Sequence, residues 1–342
     1  MNIVYMAKSK WTSLLDSIRS KAGTVGSMTV DQAVSAVDGI QTGGGGGEEY
    51  NQLLKRTITS ASGSVQYIGQ YAFAHCLSLS SVNFPQATSI SASAFLNCTS
   101  LTTISFPNAT TIWSNAFRSC MRLTDVSFPN VKQIYDYAFA GCDRLEAITL
   151  SPDLDVISGY AFSYCTALSE ISNQNVSIIG SGAFAWCSSM KSASLPNVQT
   201  IFGSAFGNCS GLLDASFPNA MSVYGQAFLR CYSLRTAYLP KALSIMGSTF
   251  SDCSSLNTVT LSSVSRIYSN AFYNCSRLLS LYLLGSSIAS LDNVNAFNNT
   301  PISTNTRYTS GVYGSIFVLS SLYDSYKSYS NWSAYADRFV SI

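Results

Sequence analysis

The chain has 342 residues, of which 11% are charged, and a formal net charge of +2; an ordinary globular domain has roughly 25% charged residues. It has no basic run that would attract nucleic acid or anionic lipid, and no apolar run near the roughly 18–20 residues of a membrane span. We therefore expect neither nucleic-acid binding nor membrane insertion.

Residues 1–42 are predicted to form a module of two short helices. The first covers residues 11–21, where apolar residues recur at i, i+3, i+4 and i+7, and the second begins at the capping box Thr29–Gln32. The side chains expected to dock this module are Trp11, Leu14, Leu15, Ile18, Val34 and Val37. About 40 residues cannot bury a stable core alone, so we expect a homo-oligomer, such as a trimer, or docking on another protein.

The segment Leu14–Ile40 carries a resemblance to a known class of protein. It reads L-L-D-S-I-R-S-K-A-G-T-V-G-S-M-T-V-D-Q-A-V-S-A-V-D-G-I, and it is similar to a segment of structural tail proteins from bacteriophages and prophages of Gram-positive hosts. The resemblance implies docking to virion or tail proteins; a generic helical hairpin that caps the following repeats is the alternative. The N-terminal lysines are not followed by an apolar stretch of about 7–15 residues, so we expect no signal peptide and assembly in the bacterial cytoplasm.

Residues 43–49 are predicted to be a hinge. Gly43–Gly47 is a run of five glycines followed by two glutamates. The run lacks the Lys-Ser/Thr pair of a phosphate-binding loop. We therefore expect a flexible connection rather than a nucleotide site.

A repeat of 22 residues dominates residues 50–291, and each copy is marked by one Phe and one Cys. The phenylalanines are Phe73, Phe95, Phe117, Phe139, Phe162, Phe184, Phe206, Phe228, Phe250 and Phe272. The cysteines are Cys76, Cys98, Cys120, Cys142, Cys165, Cys187, Cys209, Cys231, Cys253 and Cys275, with one step of 23 residues between Cys142 and Cys165. A fixed period in this range predicts a solenoid whose units bury their apolar faces against their neighbours.

Each repeat contains a predicted strand and a predicted turn. The piece L-x-x-V-x-F-P alternates apolar and polar residues, which indicates a short strand ended by proline. The piece A-F-x-x-C is expected to form a tight helical or turn segment on the opposite wall. Parallel stacking at about 4.8 Å per strand gives a rod on the order of 50 Å for ten coils.

Residues 292–342 are predicted to form an α/β cap, because the period decays there. We expect a strand at 314–319, a helix at 321–329, and Trp332 and Tyr335 beneath a final strand near Phe339. Solenoids need such an atypical end to cover their last apolar face.

The repeats resemble BspA-type leucine-rich repeats, a class common in surface and adhesion proteins of bacteria and some protozoa. The resemblance implies a solenoid of short parallel strands with turn or short-helix walls. One departure is visible, because that family usually has Ile-Gly before the A-F element. This chain has Ile112-Trp113, Ile134-Tyr135, Ile201-Phe202, Val223-Tyr224, Ile245-Met246 and Ile267-Tyr268.

The cysteines are expected to form a column of buried thiols. Side chains at the same point of successive coils are parallel, whereas a disulfide needs converging Cβ vectors; some disulfide or bound metal is the alternative. His75 is the only imidazole and directly precedes Cys76, and adjacent residues point in different directions, so a Cys–His dyad is not expected. We expect no catalysis, no cofactor and no metal site.

Two variable surfaces are candidates for ligand binding. The strand face is mostly small hydroxyls, which are also simply soluble strand residues; it includes Ser80, Ser81, Asn83, Thr102, Thr103, Ser105, Arg235, Thr236 and Tyr238. The second surface is a predicted aromatic column: Trp113, Tyr135, Tyr160, Tyr164, Trp186, Phe202, Tyr224, Tyr268 and Tyr273. Exposed Tyr and Trp beside Ser, Gly and Asn are typical of a paratope and can stack on sugar rings. The alternative is that these aromatics tile the edge of the core.

An anchor, a hinge, a rigid repeat surface and a cap suggest an attachment protein. The leading hypothesis is a phage or prophage virion component, in the tail or a tail fibre, that binds a cell-surface glycan or protein. The first alternative is a bacterial cell-surface adhesin that binds host protein or glycan. The second is an intracellular protein-interaction scaffold.

Overall fold

The computed structural model describes residues 27–29, 58–303 and 313–342. The two predicted helices, the hinge at 43–49 and the predicted docking side chains lie outside these residues. Within the predicted N-terminal module, Ser27–Thr29 forms a strand. It pairs in parallel with Ser60–Ser62, so the residue placed by the sequence at a helix cap, Thr29, ends a strand that extends the first sheet of the solenoid.

The described chain is a parallel β-solenoid of about 12 turns, which confirms the predicted fold class. Each coil has three walls, which we call the long-strand wall, the short-strand wall and the turn wall. The long-strand wall contains Ser60–Ser62, Ser81–Asn83, Thr103–Ser105, Asp125–Phe128, Ala147–Leu150, Glu170–Ser172, Ser192–Ser194, Asp214–Ser216, Thr236–Tyr238, Thr258–Leu261 and Ser280–Leu283. The short-strand wall contains Tyr67–Ile68, Ser89–Ile90, Thr111–Ile112, Gln133–Ile134, Val156–Ile157, Ile178–Ile179, Thr200–Ile201, Ser222–Val223, Ser244–Ile245, Arg266–Ile267 and Ser290–Leu291.

The coil that begins at Phe95 shows how the repeat sequence sets these walls. Buried Leu101 and Phe106 flank the long strand, and the turn that follows lies where proline cannot continue the ladder. In that turn Asn108 donates through its side-chain amide to the carbonyl of Pro85 in the previous coil, at 2.8 Å. Buried Ile112 then closes the short strand against the core.

The core is built around a column of phenylalanine rings from Phe73 to Phe297. Neighbouring rings in this column are 5.1–5.5 Å apart between centroids and nearly parallel. Burying one such side chain contributes about 1.5–3 kcal/mol. Each coil therefore gains its main apolar contacts from the two coils beside it.

The cysteines form the predicted column of buried thiols. All ten lie within the described residues, are buried and form no disulfide, because each thiol points along the stack instead of toward another thiol. From Cys98 to Cys275, each Sγ–H donates to the phenylalanine carbonyl of the preceding coil at 3.0–3.2 Å. The cysteine is thus both a small apolar group and the donor for a carbonyl inside the core.

The C-terminal cap has the elements predicted from the sequence. Its elements are 3-10 helices at Val294–Phe297, Ser320–Leu322 and Ser330–Arg338, an α-helix at Tyr323–Ser328, and strands at Ser315–Val318 and Phe339–Ser341. Trp332 is fully buried against Phe297 and its indole N–H donates to the carbonyl of Ala289 at 2.7 Å. Within the described ranges, no helix combines the length and apolar character needed to cross a bilayer.

Candidate functional site

The turn wall holds the A-F-x-x-C piece, which is a turn in the described coils and not a helix. Two residues in most coils adopt positive φ there, for example Ser93 and Asn97. This left-handed backbone turns the N–H groups along the solenoid: Phe95 donates to the carbonyl of Ala116 at 2.7 Å and Asn97 to that of Arg118 at 2.8 Å. The turn wall of each coil is therefore hydrogen-bonded to the next coil without forming a regular strand.

Several of the left-handed positions carry large aromatic side chains. Tyr137, Tyr160, Tyr164 and Trp186 have φ between 54° and 68°. Gly adopts this region of backbone conformation without strain and Asn adopts it with little strain, whereas a bulky residue there destabilises the fold by on the order of 1–3 kcal/mol. Most other coils use Asn, Ser or Gly at these points, including Asn97, Asn208 and Gly141, and the remainder carry Tyr71, His75, Gln226, Arg230 and Asp252. Stability alone does not select aromatics here, so their presence points to a role at the surface.

These aromatics are organised into stacked pairs that run diagonally across the turn wall. The ring centroids are 4.5 Å apart for Trp113 and Tyr135, 4.9 Å for Tyr137 and Tyr160, and 5.8 Å for Tyr164 and Trp186. Each pair joins two successive coils, and each pair starts one coil after the previous pair and further along the repeat. We call these six residues the diagonal band.

Four of the six residues of the diagonal band are exposed, and Tyr135 and Tyr137 are half-buried. Trp113 is 41% exposed, Tyr164 52% and Trp186 43%. Trp113 donates through its indole N–H to the hydroxyl of Ser89 at 3.1 Å, which orients the ring without burying it. Arg118 lies over the ring of Tyr137, with its guanidinium carbon 5.3 Å from the centroid. The structure therefore favours the surface interpretation of these side chains.

The stacking decides which parts of the rings a ligand can reach. Because partner rings are parallel and lie one coil apart, each pair presents ring edges along its flank and free ring faces only at its two ends. The free face of Tyr135 looks along the wall toward Ser158 and Gly180, and the next aromatic in that line is Phe202. This gap spans three coil steps, roughly 14 Å at about 4.8 Å per step.

The floor of that gap is nearly bare backbone. A Cβ added to Gly180 would lie 2.6 Å from the backbone nitrogen of Gly159, so this position accepts only glycine without a backbone shift. A Cβ on Gly182 would overlap the ring of Tyr160. The glycines therefore let the coils approach closely and keep the space beside the rings of Tyr135 and Phe202 open.

The nine residues predicted as one aromatic column lie on several lines of the wall. Trp113, Tyr135, Phe202, Tyr224 and Tyr268 share one line. Tyr160 lies on a second line, Tyr164 and Trp186 on a third, and Tyr273 is half-buried one position before Asn274. Five of the nine residues therefore share one line, and the other four lie on neighbouring lines, because a turn with two left-handed residues sends neighbouring side chains in different directions.

Two of the predicted residues outside the diagonal band form a fourth stacked pair, and a third has a charged partner. Phe202 and Tyr224 stack at 4.9 Å. Arg266 lies over the ring of Tyr268 at 4.6 Å and pairs with Asp292 at 2.6 Å, and this hydrogen bond raises the pKa of the arginine. These aromatics lie closer to the cap than the diagonal band.

Sequence reasoning missed Tyr137 and Arg118. Tyr137 is 23 residues before Tyr160, the length of the one long repeat, and a search for aromatics separated by one repeat would have found this pair. His75 lies on the surface beside Asn97, 3.3 Å from its amide, while Cys76 is buried. Within the described residues, no cluster of three or more His, Cys, Asp or Glu side chains is placed to hold a metal ion.

Comparison with known structures gives matches of modest similarity. A leucine-rich cell surface protein from Faecalibacterium prausnitzii is 25% identical with a TM-score of 0.46, covering 72% of this chain and 78% of that chain. A leucine-rich repeat protein from Bacteroides ovatus is 23% identical with a TM-score of 0.46, covering 66% of this chain and 79% of that chain. No curated protein matches the chain.

A family model gives the decisive match. The BspA type leucine-rich repeat region matches residues 50–169, 110–235 and 177–303. Together these matches span well over half of the chain and include every coil that carries the Phe and Cys columns. The chain therefore belongs to the BspA-type leucine-rich repeat family.

Proposed function

We propose that this protein is an attachment protein whose turn wall binds carbohydrate on a cell surface through the diagonal band. One observation carries the proposal: four aromatic residues of the band, of which Tyr160, Tyr164 and Trp186 are exposed and Tyr137 is half-buried, occupy left-handed backbone positions where Asn or Gly would cost less. Aromatic rings at such positions lower the stability of the fold, and strained residues cluster at ligand-binding sites, so these rings indicate a binding surface.

The chemistry of the band suits sugar rings better than a flat protein surface. The C–H groups of a pyranose pack on an aromatic face, and the band offers such faces at the ends of the Trp113–Tyr135 and Tyr164–Trp186 pairs, the face of Tyr135 lying beside the small residue Ser158. Polar groups lie next to the rings, including the amide of Gln133, which is 3.3 Å from the hydroxyl of Tyr135. Rigid aromatic area next to short hydrogen-bonding side chains favours recognition of a neutral, hydroxyl-rich ligand.

A bacterial surface is the carrier we propose, because the family is common in surface and adhesion proteins. The virion hypothesis rests on the resemblance of Leu14–Ile40, which apart from Ser27–Thr29 lies outside the described residues. The matched relatives named above are a cell surface protein and a leucine-rich repeat protein, and neither is named as a tail protein. Receptor binding by the repeats is common to both hypotheses and is the part that can be tested directly.

The test replaces aromatics with the residue that other coils already use. In one variant Tyr137, Tyr160, Tyr164 and Trp186 are all changed to Asn, and its binding to a glycan array and to intact Gram-positive cells is compared with that of the parent protein. We expect binding to fall at least about tenfold, with the melting temperature unchanged or higher, because Asn tolerates left-handed backbone better than Tyr or Trp.

Tyr71→Asn is the matched control. Tyr71 also has positive φ and is 56% exposed, but it lies in the first coil, away from the band. A second variant, Ser158→Tyr, fills the space beside Tyr135 without removing any ring, and it should also reduce binding. Full binding by the four-site variant, or an equal loss in Tyr71→Asn, would refute the proposal.

A further inference from the structure

The long-strand wall near the C-terminal cap has a different chemistry from the rest of that wall. Here the longest continuous sheet of the wall runs through Asp214–Ser216, Thr236–Tyr238, Thr258–Leu261, Ser280–Leu283, Ser315–Val318 and Phe339–Ser341. Its outward residues combine Arg235 and Arg277 with the exposed ring of Tyr238, whereas the earlier coils carry Ser and Thr together with Arg122, Arg144 and acidic residues. This part of the wall therefore combines charge with flat apolar surface.

An open depression of about 410 Å³ lies on this wall, and its lining is mostly polar and basic, with Leu213 as its one aliphatic side chain. Arg235 and Arg277 line it, together with the hydroxyls of Ser233, Thr236 and Ser255 and the side chain of Asn257. Arg235 and Arg277 belong to coils two steps apart, roughly 10 Å along the axis at about 4.8 Å per step. Two guanidinium groups therefore border one space that also holds neutral hydrogen-bonding groups.

The positive charge of these two arginines is not neutralised within the described part of the chain. Arg235 and Arg277 are exposed and have no ion pair there, unlike Arg230, which faces Asp252 at 3.8 Å. The hydroxyl of Thr236 donates to the carboxylate of Asp214 at 2.6 Å, so one negative charge lies next to a lining residue, whereas two positive charges line the depression itself. A carboxylate or sulfate group can pair with an arginine in a bidentate manner, so the free guanidinium groups favour an anionic ligand.

A third cation continues this charge toward the middle of the rod. The ammonium of Lys191 lies 3.1 Å from the point where a Cβ of Gly211 would stand, and Gly211 occupies the repeat position of Ser233 and Arg277. Lys191 directly precedes the strand Ser192–Ser194, as Arg235 directly precedes the strand Thr236–Tyr238 two coils later. Positive groups thus recur along the wall at every second coil, which suits an extended anionic chain better than a single small ion.

Aromatic residues lie beside the depression on the same strands. Tyr238 is two residues after Thr236, on the same strand, and is 46% exposed. Along the same line of the wall, Thr260 pairs with Tyr238 and with Tyr282, and Tyr282 stacks on Phe317 at 4.5 Å. The small side chain of Thr260 leaves space between the rings of Tyr238 and Tyr282.

We propose that this end of the long-strand wall binds an acidic glycan. Its carboxylate or sulfate groups pair with Arg235 and Arg277, and a neighbouring sugar ring packs beside Tyr238. The hydroxyl and amide lining of the depression matches sugar hydroxyls, and Leu213 is its one aliphatic side chain, which favours a glycan over an acidic peptide that would place apolar side chains in pockets. The inference rests on the proposed function in taking the ligand as carbohydrate, but it uses a wall separate from the diagonal band.

The test measures binding of the full chain to four probes by calorimetry: polygalacturonic acid, heparin, neutral dextran and polyglutamate. We expect the two acidic polysaccharides to bind, more weakly as salt rises, and the double variant Arg235→Ala/Arg277→Ala to bind them at least about tenfold less tightly. Arg122→Ala/Arg144→Ala is the matched control, since both arginines are exposed and share the repeat position of Arg277. That control should bind as the parent protein does.

Three results would overturn the inference. They are an equal loss in both arginine variants, polyglutamate binding as tight as that of polygalacturonic acid, and no binding of either acidic polysaccharide by the parent protein. The four-site Asn variant of the diagonal band separates this inference from the proposed function. It should keep its affinity for acidic polysaccharide if the strand-wall site is independent, even if the band itself binds nothing.

Discussion

The column of buried thiols predicts that the rod unfolds in mild alkali. Burial raises the pKa of eight thiols above the ordinary value of 9.0, and it raises the pKa of Cys209 to about 12. Below about pH 9 these thiols are protonated in both states and pH has no effect through them. Above it, the unfolded chain loses protons that the folded chain retains, so the free energy of unfolding falls as pH rises toward the folded pKa values.

The size of the effect follows from the number of thiols. Each contributes about 1.4 kcal/mol per pH unit, so eight that unfold together give roughly 11 kcal/mol per pH unit. A typical stability is about 5–15 kcal/mol, so unfolding is expected within about one to two units above pH 9. If the coils unfold in blocks, each block shows the slope of its own cysteines.

The assay is urea unfolding followed by circular dichroism, in reductant, at steps between about pH 7 and about pH 10.5. The double variant Cys187→Ala/Cys209→Ala should lose about a quarter of the pH slope, since two of the eight thiols are gone. Its lower stability at neutral pH, about 1–2 kcal/mol per site, changes the offset and leaves the slope comparison intact. Equal slopes in the two proteins, or thiolate absorbance from the folded protein near pH 9.5, would refute the reasoning.

Two further predictions concern the packing of coils and the end of the core. Gly180→Ala should lower the free energy of unfolding by about 2–4 kcal/mol, because its Cβ would press on the backbone of Gly159. Gly69→Ala, whose Cβ would meet nothing within 4 Å, should change it by less than about 0.5 kcal/mol; urea unfolding compares the two. Trp332→Ala should cost about 3–5 kcal/mol and expose Phe297, which thermal unfolding and light scattering would detect as early melting with aggregation.

The sequence predicts the fold well because the residues that make the core contacts recur at fixed intervals along the chain. Phe95, Cys98 and Leu101 recur one coil later with the same spacing, so periodicity alone places them on the inside of a stack. The inward contact of each is with its own equivalent in the next coil, as the ring of Phe95 shows against Phe117. The cap is predictable for a related reason, since the decay of the period marks where stacking ends.

The candidate site is less predictable, because it depends on the backbone between the periodic residues. The left-handed φ of Tyr137 and Tyr164 is not visible in a residue pattern that elsewhere contains Ser, Asn or Gly. Which aromatics stack depends on which coils are neighbours and on the 23-residue step, so nine residues that look like one column divide among several lines. Arg277 escaped notice because it reaches the depression from a repeat position outside the alternating strand.

The phenylalanine column has a consequence for how such a protein can change over time. Every coil contacts its neighbours through nearly the same phenylalanine rings, thiol and carbonyl, as Cys120 and Phe95 do. A gene rearrangement that removes or duplicates one whole repeat therefore leaves the same core contacts at each junction between coils. The surface does not share this tolerance. Loss of the repeat that carries Tyr160 and Tyr164 would bring Tyr137 beside Gly182 and erase two stacked pairs. Recombination between repeats can therefore generate new recognition surfaces on an unchanged interior.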